Sequence, residues 1–230
     1  MILYLKQSFY MDKKLFVANW KSHKTKEEAI KFFEFVRDNI SHIDLTNKEI
    51  IVAPPFTLLA QARYLIDEYK LPIQLAAQNV SSFPEGAYTG EISAKQVKEF
   101  AQYVIVGHSE RKKYLHESEM DIENKVRESM ASDLKVIQCV QDENSVIHEG
   151  VKIVAYEPPS AIGSGNPDDP EHIKSVFDSI TEERSGLQLI YGGSVNKEFQ
   201  KGFLDIENLS GFLIGGASLE AESFLSLLTW

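Results

Sequence analysis

The sequence predicts a single-domain α/β protein built as an eight-stranded parallel βα barrel. Eight short runs are almost continuously apolar, as strands covered on both faces of a parallel sheet are. Each run is followed by an amphipathic helical pattern or the remnant of one. From Leu15 in the first run to Gly211 in the last, seven steps cover 196 residues, or 28 per step. A strand–helix–strand unit of about 30 residues or more, counting both strands, fits that spacing with short loops. The competing arrangement is an open doubly wound sheet. Its dinucleotide-binding form wants GxGxxG after the first strand, whereas the first run here ends in Asn19, Trp20 and Lys21.

The elements follow in order. LFVAN (15–19) leads to TKEEAIKFFEFVRDNI (25–40), which sets Ala29, Phe32, Phe33 and Val36 on one face behind a Thr25/Glu28 capping box. IIVAP (50–54) precedes FTLLAQARYLIDEYK (56–70), and IQLAAQN (73–79) precedes SAKQVKEFAQ (93–102). YVIVG (103–107) precedes SEMDIENKVRESMASD (118–133), with Ile122, Val126 and Met130 four apart. Only ten residues separate Val140, which ends KVIQCV (135–140), from Val151, just ahead of KIVAY (152–156). A helix of one or two turns is all that interval allows. DDPEHIKSVFDSITEE (168–183) tolerates Pro170 in its first turn. LQLIYGG (187–193) precedes NKEFQKGFL (196–204), and GFLIGG (211–216) precedes SLEAESFLSLL (218–228). Residues 1–10 read as an N-terminal appendage, or a short arm packed on the surface, ahead of a catalytic barrel domain over 11–230.

A chain of 230 residues with 43% hydrophobic and 25% charged residues buries a core without disulfide or metal staples. Its one cysteine excludes a disulfide framework and fits a reducing, cytoplasmic compartment. A net charge of −10 argues against nucleic acid or an anionic membrane as partner. No segment approaches the roughly 20 apolar residues of a membrane helix. No HxxxH or CxxC pairing suggests a metal site, and Cys139 reads as a buried small side chain.

In such a barrel the active site sits at the carboxyl ends of the strands. Those ends carry Asn19 and Lys21, Gln78 and Asn79, His108 with Ser109-Glu110-Arg111, Glu157 before two prolines, Gly192-Gly193-Ser194, and Gly215-Gly216. Glycine turns after the last two strands expose backbone amides to an anion, and phosphate sites of barrels commonly use those loops. His108 opens a helix, whose N-terminus disfavours an imidazolium. Glu157 is the candidate general base. The loop from Pro158 to about Pro167 reads as a lid. A cation, an imidazole, a carboxylate and an anion rim on one face make proton abstraction from a phosphorylated substrate the leading chemistry.

Eight motifs stand in register along the chain: FVANWK (16–21), AAQN (76–79), GAYTGEIS (86–93), VIVGHSERK (104–112), VAYEP (154–158), AIGSG (161–165), YGGSV (191–195) and GFLIGGASL (211–219). Through them the chain resembles the triosephosphate isomerase family over essentially its whole length after residue 14. The resemblance implies a TIM barrel that interconverts dihydroxyacetone phosphate and D-glyceraldehyde 3-phosphate through an enediolate, without a cofactor, in glycolysis and gluconeogenesis. Glu157 matches the family's base and His108 its neutral electrophile, assignments long established for these enzymes. Lys21 matches the cation that holds the substrate and stabilises its developing charge. Asn19 matches a substrate-binding neighbour, and Gly163, Ser194, Gly215 and Gly216 match backbone donors to the phosphate. Glu110 matches a carboxylate behind these groups. Thr89 matches a residue inserted into a neighbouring subunit, implying a homo-oligomer.

The chain departs from the family at the lid, where Pro159-Ser160 replaces the common Val-Trp and Asn166-Pro167 is unusual. The 49 residues from His108 to Glu157 are similar to the compact archaeal-type branch, whose members tend to be tetramers. A dimer or a tetramer is therefore expected. The alternative reading is a non-catalytic barrel relative serving as a binding or scaffold protein. Loss of Lys21, His108 or Glu157 would favour it, and all three are present.

Overall fold

The computed structural model describes residues 13–161, 165–195, 202–203 and 205–229. The expected appendage at 1–10 lies outside them, as do Gly163 in the lid and most of the helix expected over 196–204. Eight strands, all parallel, close into a barrel in sequence order: β1 (Lys14–Asn19), β2 (Lys48–Ala53), β3 (Ile73–Ala77), β4 (Tyr103–Val106), β5 (Lys135–Val140), β6 (Ile153–Tyr156), β7 (Gln188–Tyr191) and β8 (Leu209–Ile214). The helices are α1 (Lys26–Asn39), α2 (Phe56–Glu68), α3 (Ala94–Lys98), α4 (Ser109–Leu115), α5 (Glu119–Ala131), α6 (Pro170–Glu183) and α7 (Ala221–Leu227).

The apolar runs are explained by a two-sided core. Successive side chains of a strand point to opposite faces. Leu15, Val17, Ile51, Ala53, Tyr103, Ile105, Ile137, Cys139, Ile153 and Ala155 therefore fill the barrel interior. Their neighbours Phe16, Ala18, Ile50, Val52, Val104, Val136 and Val154 pack outward against the helices. Cys139 is buried as expected. Helix starts are set locally. Thr25, Ser93 and Ser118 each complete a capping box, and Asp169 caps α6 with Pro170 in its first turn. The first and last strands meet where Gly211, at φ +136°, lies so close to β1 that a Cβ would overlap the Leu15 backbone.

Two expectations change. The interval between β5 and β6 contains no helix; residues 141–152 form bends, turns and irregular chain. Asp142, Asn144 and Ser145 explain part of this. Asp142 Oδ1 accepts from the Asn144 amide and the Ser145 hydroxyl, and Ser145 Oγ accepts from the Gln141 amide, a competition with helix that short polar side chains favour. The helix expected over 93–102 shrinks to α3, and Gln102 instead bridges neighbouring strands, its amide donating to Leu75 and its carbonyl accepting from Lys135.

Candidate active site

The carboxyl ends of β1, β4, β6, β7 and β8 converge on a cavity of about 380 Å³. It is lined by Asn19, Lys21, His108, Glu157, Gly192, Gly193, Ser194, Gly215 and Gly216 among others.

Lys21 is held at a positive φ of 51°, a conformation that costs a non-glycine residue energy and needs support. Its amide donates to Asn19 Oδ1 at 3.1 Å, and its carbonyl accepts from Gln78 Nε2 at 2.8 Å. The same Gln78 amide donates to the Ala53 carbonyl at 2.8 Å. One glutamine from the end of β3 thus pins the turn after β1 to the end of β2. Lys21 Nζ pairs with Glu110 Oε1 at 2.5 Å, which aims the ammonium across the mouth towards α4.

His108 is the N-cap of α4. Its Nδ1 accepts the Glu110 amide at 3.2 Å, which leaves the proton of a neutral ring on Nε2. That nitrogen lies 2.9 Å from Glu157 Oε1. Glu157 is 1% exposed, and its other oxygen accepts the Ser109 amide at 2.8 Å, a donor at the start of α4. Burial pushes the His108 imidazolium down, but the charge and hydrogen bond of Glu157 outweigh it, so its pKa stands above the ordinary histidine value. The helix start by itself disfavours an imidazolium. The carboxylate in contact with Nε2 overrides it here. Burial, and then Glu157, push the Cys139 thiol well up, so that neighbour stays protonated and adds no charge.

The opposite wall is backbone. Gly192 packs so tightly that a Cβ there would sit 2.8 Å from Glu157 Cγ and 3.2 Å from the Tyr156 carbonyl oxygen. The loop after β7 therefore rests on the methylenes of the carboxylate. The Ser194 hydroxyl donates to the Ala161 carbonyl at 2.8 Å, tying that loop to the start of the 158–167 connection. Gly215 lies beside Lys21, whose Cε would be 3.4 Å from a Cβ at that position.

Several contributors carry no motif of their own. Glu117 is buried between Arg111 Nε, at 2.9 Å, and the Lys125 ammonium, and Asn79 Oδ1 accepts from that same ammonium at 2.9 Å. This network braces α4 against α5 and the end of β3. Asp168 donates its amide to the Tyr191 hydroxyl at 2.9 Å, and its carboxylate faces His172 Nδ1 at 2.8 Å. Asn79 and Arg111 were singled out by their places after strands, whereas nothing in the sequence pointed to Glu117, Lys125 or Asp168. Among the described residues no group of His, Cys, Asp or Glu is placed to hold a metal ion, and no helix is long and apolar enough to cross a membrane.

Fold and site together define a βα-barrel protein that sets a carboxylate and an imidazole against an ammonium and a rim of backbone amides. The chain matches the family model Triosephosphate isomerase over residues 14–230. Relatives bearing that name include those of Endomicrobium trichonymphae, 34% identical over 252 residues covering 96% of this chain and 99% of that protein, and Mesomycoplasma hyorhinis, 34% identical over 242 residues covering 95% and 99%. Another, from Thermodesulfovibrio yellowstonii, is 35% identical over 251 residues covering 96% and 100%. The chain belongs to the triosephosphate isomerase family.

Proposed function

We propose that this enzyme interconverts dihydroxyacetone phosphate and D-glyceraldehyde 3-phosphate through an enediolate. The observation that carries this reading is the 2.9 Å approach of Glu157 to His108 Nε2 in the same pocket as Lys21 and the glycine rim. The substrate phosphate sits on the amides of the Gly192–Ser194 and Gly215–Gly216 turns, with Gly163 as a further donor and Asn19 lining the mouth. Glu157 leaves Ser109 and His108 and takes the proton from the carbon beside the carbonyl. His108 Nε2–H polarises the carbonyl oxygen, and Lys21 stabilises the charge gathering there. A substrate between Glu157 and His108 removes the cause that raises the imidazolium, restoring a neutral electrophile. Glu110 aims Lys21. The acid is a C–H next to a carbonyl, so a carboxylate with electrophilic help suffices and no cofactor is required.

The same reading assigns a partner, a second copy of this chain. The loop after β3 closes on a Ser81–Ile92 backbone bond, presents exposed Thr89 at its tip, and stacks Phe83 on Tyr88 at 4.5 Å. Beside the catalytic pocket a second cavity is lined by Lys21, Phe56, Gln78, Glu110, Tyr114 and Leu115, and Tyr114 and Leu115 are more than half exposed. Insertion of Thr89 into that cavity joins two subunits, and the helix-free flank between β5 and β6 offers a further contact for a tetramer. The single cysteine and acidic charge suit a cytoplasmic location. A coupled assay with glyceraldehyde 3-phosphate tests the activity. Dilution with parallel sedimentation tests the assembly: activity should fall as the oligomer dissociates, and full activity in a proven monomer would remove the subunit role of Thr89.

A further inference from the structure

A further cavity lies at the other end of the barrel. It opens at the amino ends of the strands with a volume of about 590 Å³ and shares no lining residue with the catalytic pocket. Its floor is the lowest layer of the barrel interior, Leu15, Tyr103 and Ile153. Its rim carries three ammonium groups, Lys13, Lys135 and Lys152, against the one carboxylate of Glu49.

That carboxylate is already engaged. The Tyr103 hydroxyl donates to Glu49 Oε1 at 2.6 Å and accepts from Lys135 Nζ at 3.2 Å, and the Lys135 ammonium stands 5.0 Å over the Tyr103 ring. Among the described residues, no carboxylate pairs with Lys13 or Lys152. A chain of net charge −10 thus concentrates cations around an apolar funnel.

We propose that this mouth is a second small-molecule site, for an amphipathic anion. An apolar ring or short chain rests on the floor, and one carboxylate, sulfonate or phosphate group meets the lysine rim. The volume falls within the range of about 300–1,000 Å³ typical of ligand pockets, which are likewise mostly apolar with a few polar groups that fix orientation. Met130 forms part of the wall, and its unbranched thioether adapts to the shape of a guest. The rim ammoniums supply charge complementarity, and Lys135 and Tyr103 offer a cation–π pair that a flat ring extends. This inference stands whether or not the isomerase reading does, because its readout is binding.

The test is a fluorescence titration of the full chain with 8-anilinonaphthalene-1-sulfonate. One saturable site is expected. The double variant Lys135→Glu/Lys152→Glu should weaken it by about tenfold or more while leaving kcat unchanged, and the uncharged analogue N-phenyl-1-naphthylamine should bind weaker by a similar factor. Lys21→Ala, which alters the catalytic pocket, should bind the probe as the unaltered chain does. Undiminished binding in the double variant, or equal binding of the uncharged analogue, overturns the proposal. So does loss of binding in Lys21→Ala, which places the probe in the catalytic pocket. Binding that appears only once residues 2–11 are deleted assigns the cavity to the chain's own N-terminal segment and overturns it as well.

Discussion

The two mouths of the barrel both gather positively polarised or charged groups on an acidic chain, and they do so by different means. At the carboxyl end the strands finish in glycine turns, and backbone amides with one ammonium, Lys21, face the cavity. At the amino end lysines stand at or just before the starts of three strands, and side chains alone carry the charge. Amides at strand ends are fixed by the fold, so they suit a site where geometry sets the rate. Lysines on flexible stems tolerate different guests and suit binding. Substitutions at the carboxyl end should therefore act on turnover, and substitutions at the amino end should not.

The largest expected effect is at Glu157. Glu157→Gln removes the base and should lower kcat by about 10²–10⁴-fold with a modest change in KM, and Glu157→Asp should also collapse turnover. Steady-state kinetics decide, and wild-type turnover in the glutamine variant would end the mechanism. Lys21→Ala should cost about 10²–10³-fold in kcat/KM; a loss confined to a few fold would move the electrostatic role to the amides. Gly192→Ala is the sharper probe of the amide wall, since its new Cβ lands 2.8 Å from Glu157 Cγ. Displacing the carboxylate should cost about tenfold to a hundredfold in kcat, with the melting temperature reporting whether the fold is kept. Unaltered kcat would show that the carboxylate does not rest on this turn.

A subtler effect concerns protons. The His108 pKa stands above the ordinary value of about 6.5, so NMR titration of its ring should show a midpoint that falls in Glu157→Gln. A midpoint that stays put would assign the shift elsewhere. The sign for stability follows. The folded chain holds this proton more tightly, so the pair stabilises fully below the unfolded value, and that contribution fades as pH rises through the raised one. Catalysis runs the other way: kcat/KM should drop on the acid limb as the imidazolium forms. The smallest effect is Lys135→Ala at the amino mouth, for which kcat within about twofold of wild type is expected; a larger loss would mean the two ends are coupled.

The strands were legible because both faces are buried, which turns LFVAN and YVIVG into unbroken apolar runs. The strand-end residues Asn19, Lys21, His108, Glu157 and Ser194 were legible because barrel chemistry collects there, and they line one pocket. The charge preference of His108 was not, because it depends on a carboxylate 49 residues away in sequence lying 2.9 Å away in space. Nor was the missing helix between β5 and β6, where side-chain turns at Asp142 and Ser145 defeat a short helical pattern. The amino mouth carried no signal, since its residues are scattered over the starts of six strands, the loops before them and the end of α5.

Closure at Gly211 has a consequence for how the chain is made. β1 and β8 are furthest apart in sequence yet hydrogen-bonded neighbours. A growing polypeptide can stack its first seven strands in order of synthesis, but until Ile214 has left the ribosome the sheet keeps two raw edges open to other chains. The seam then shuts across a position where no side chain fits. Any substitution at Gly211 should leave that last join ajar, so its damage should appear first as aggregation during biosynthesis.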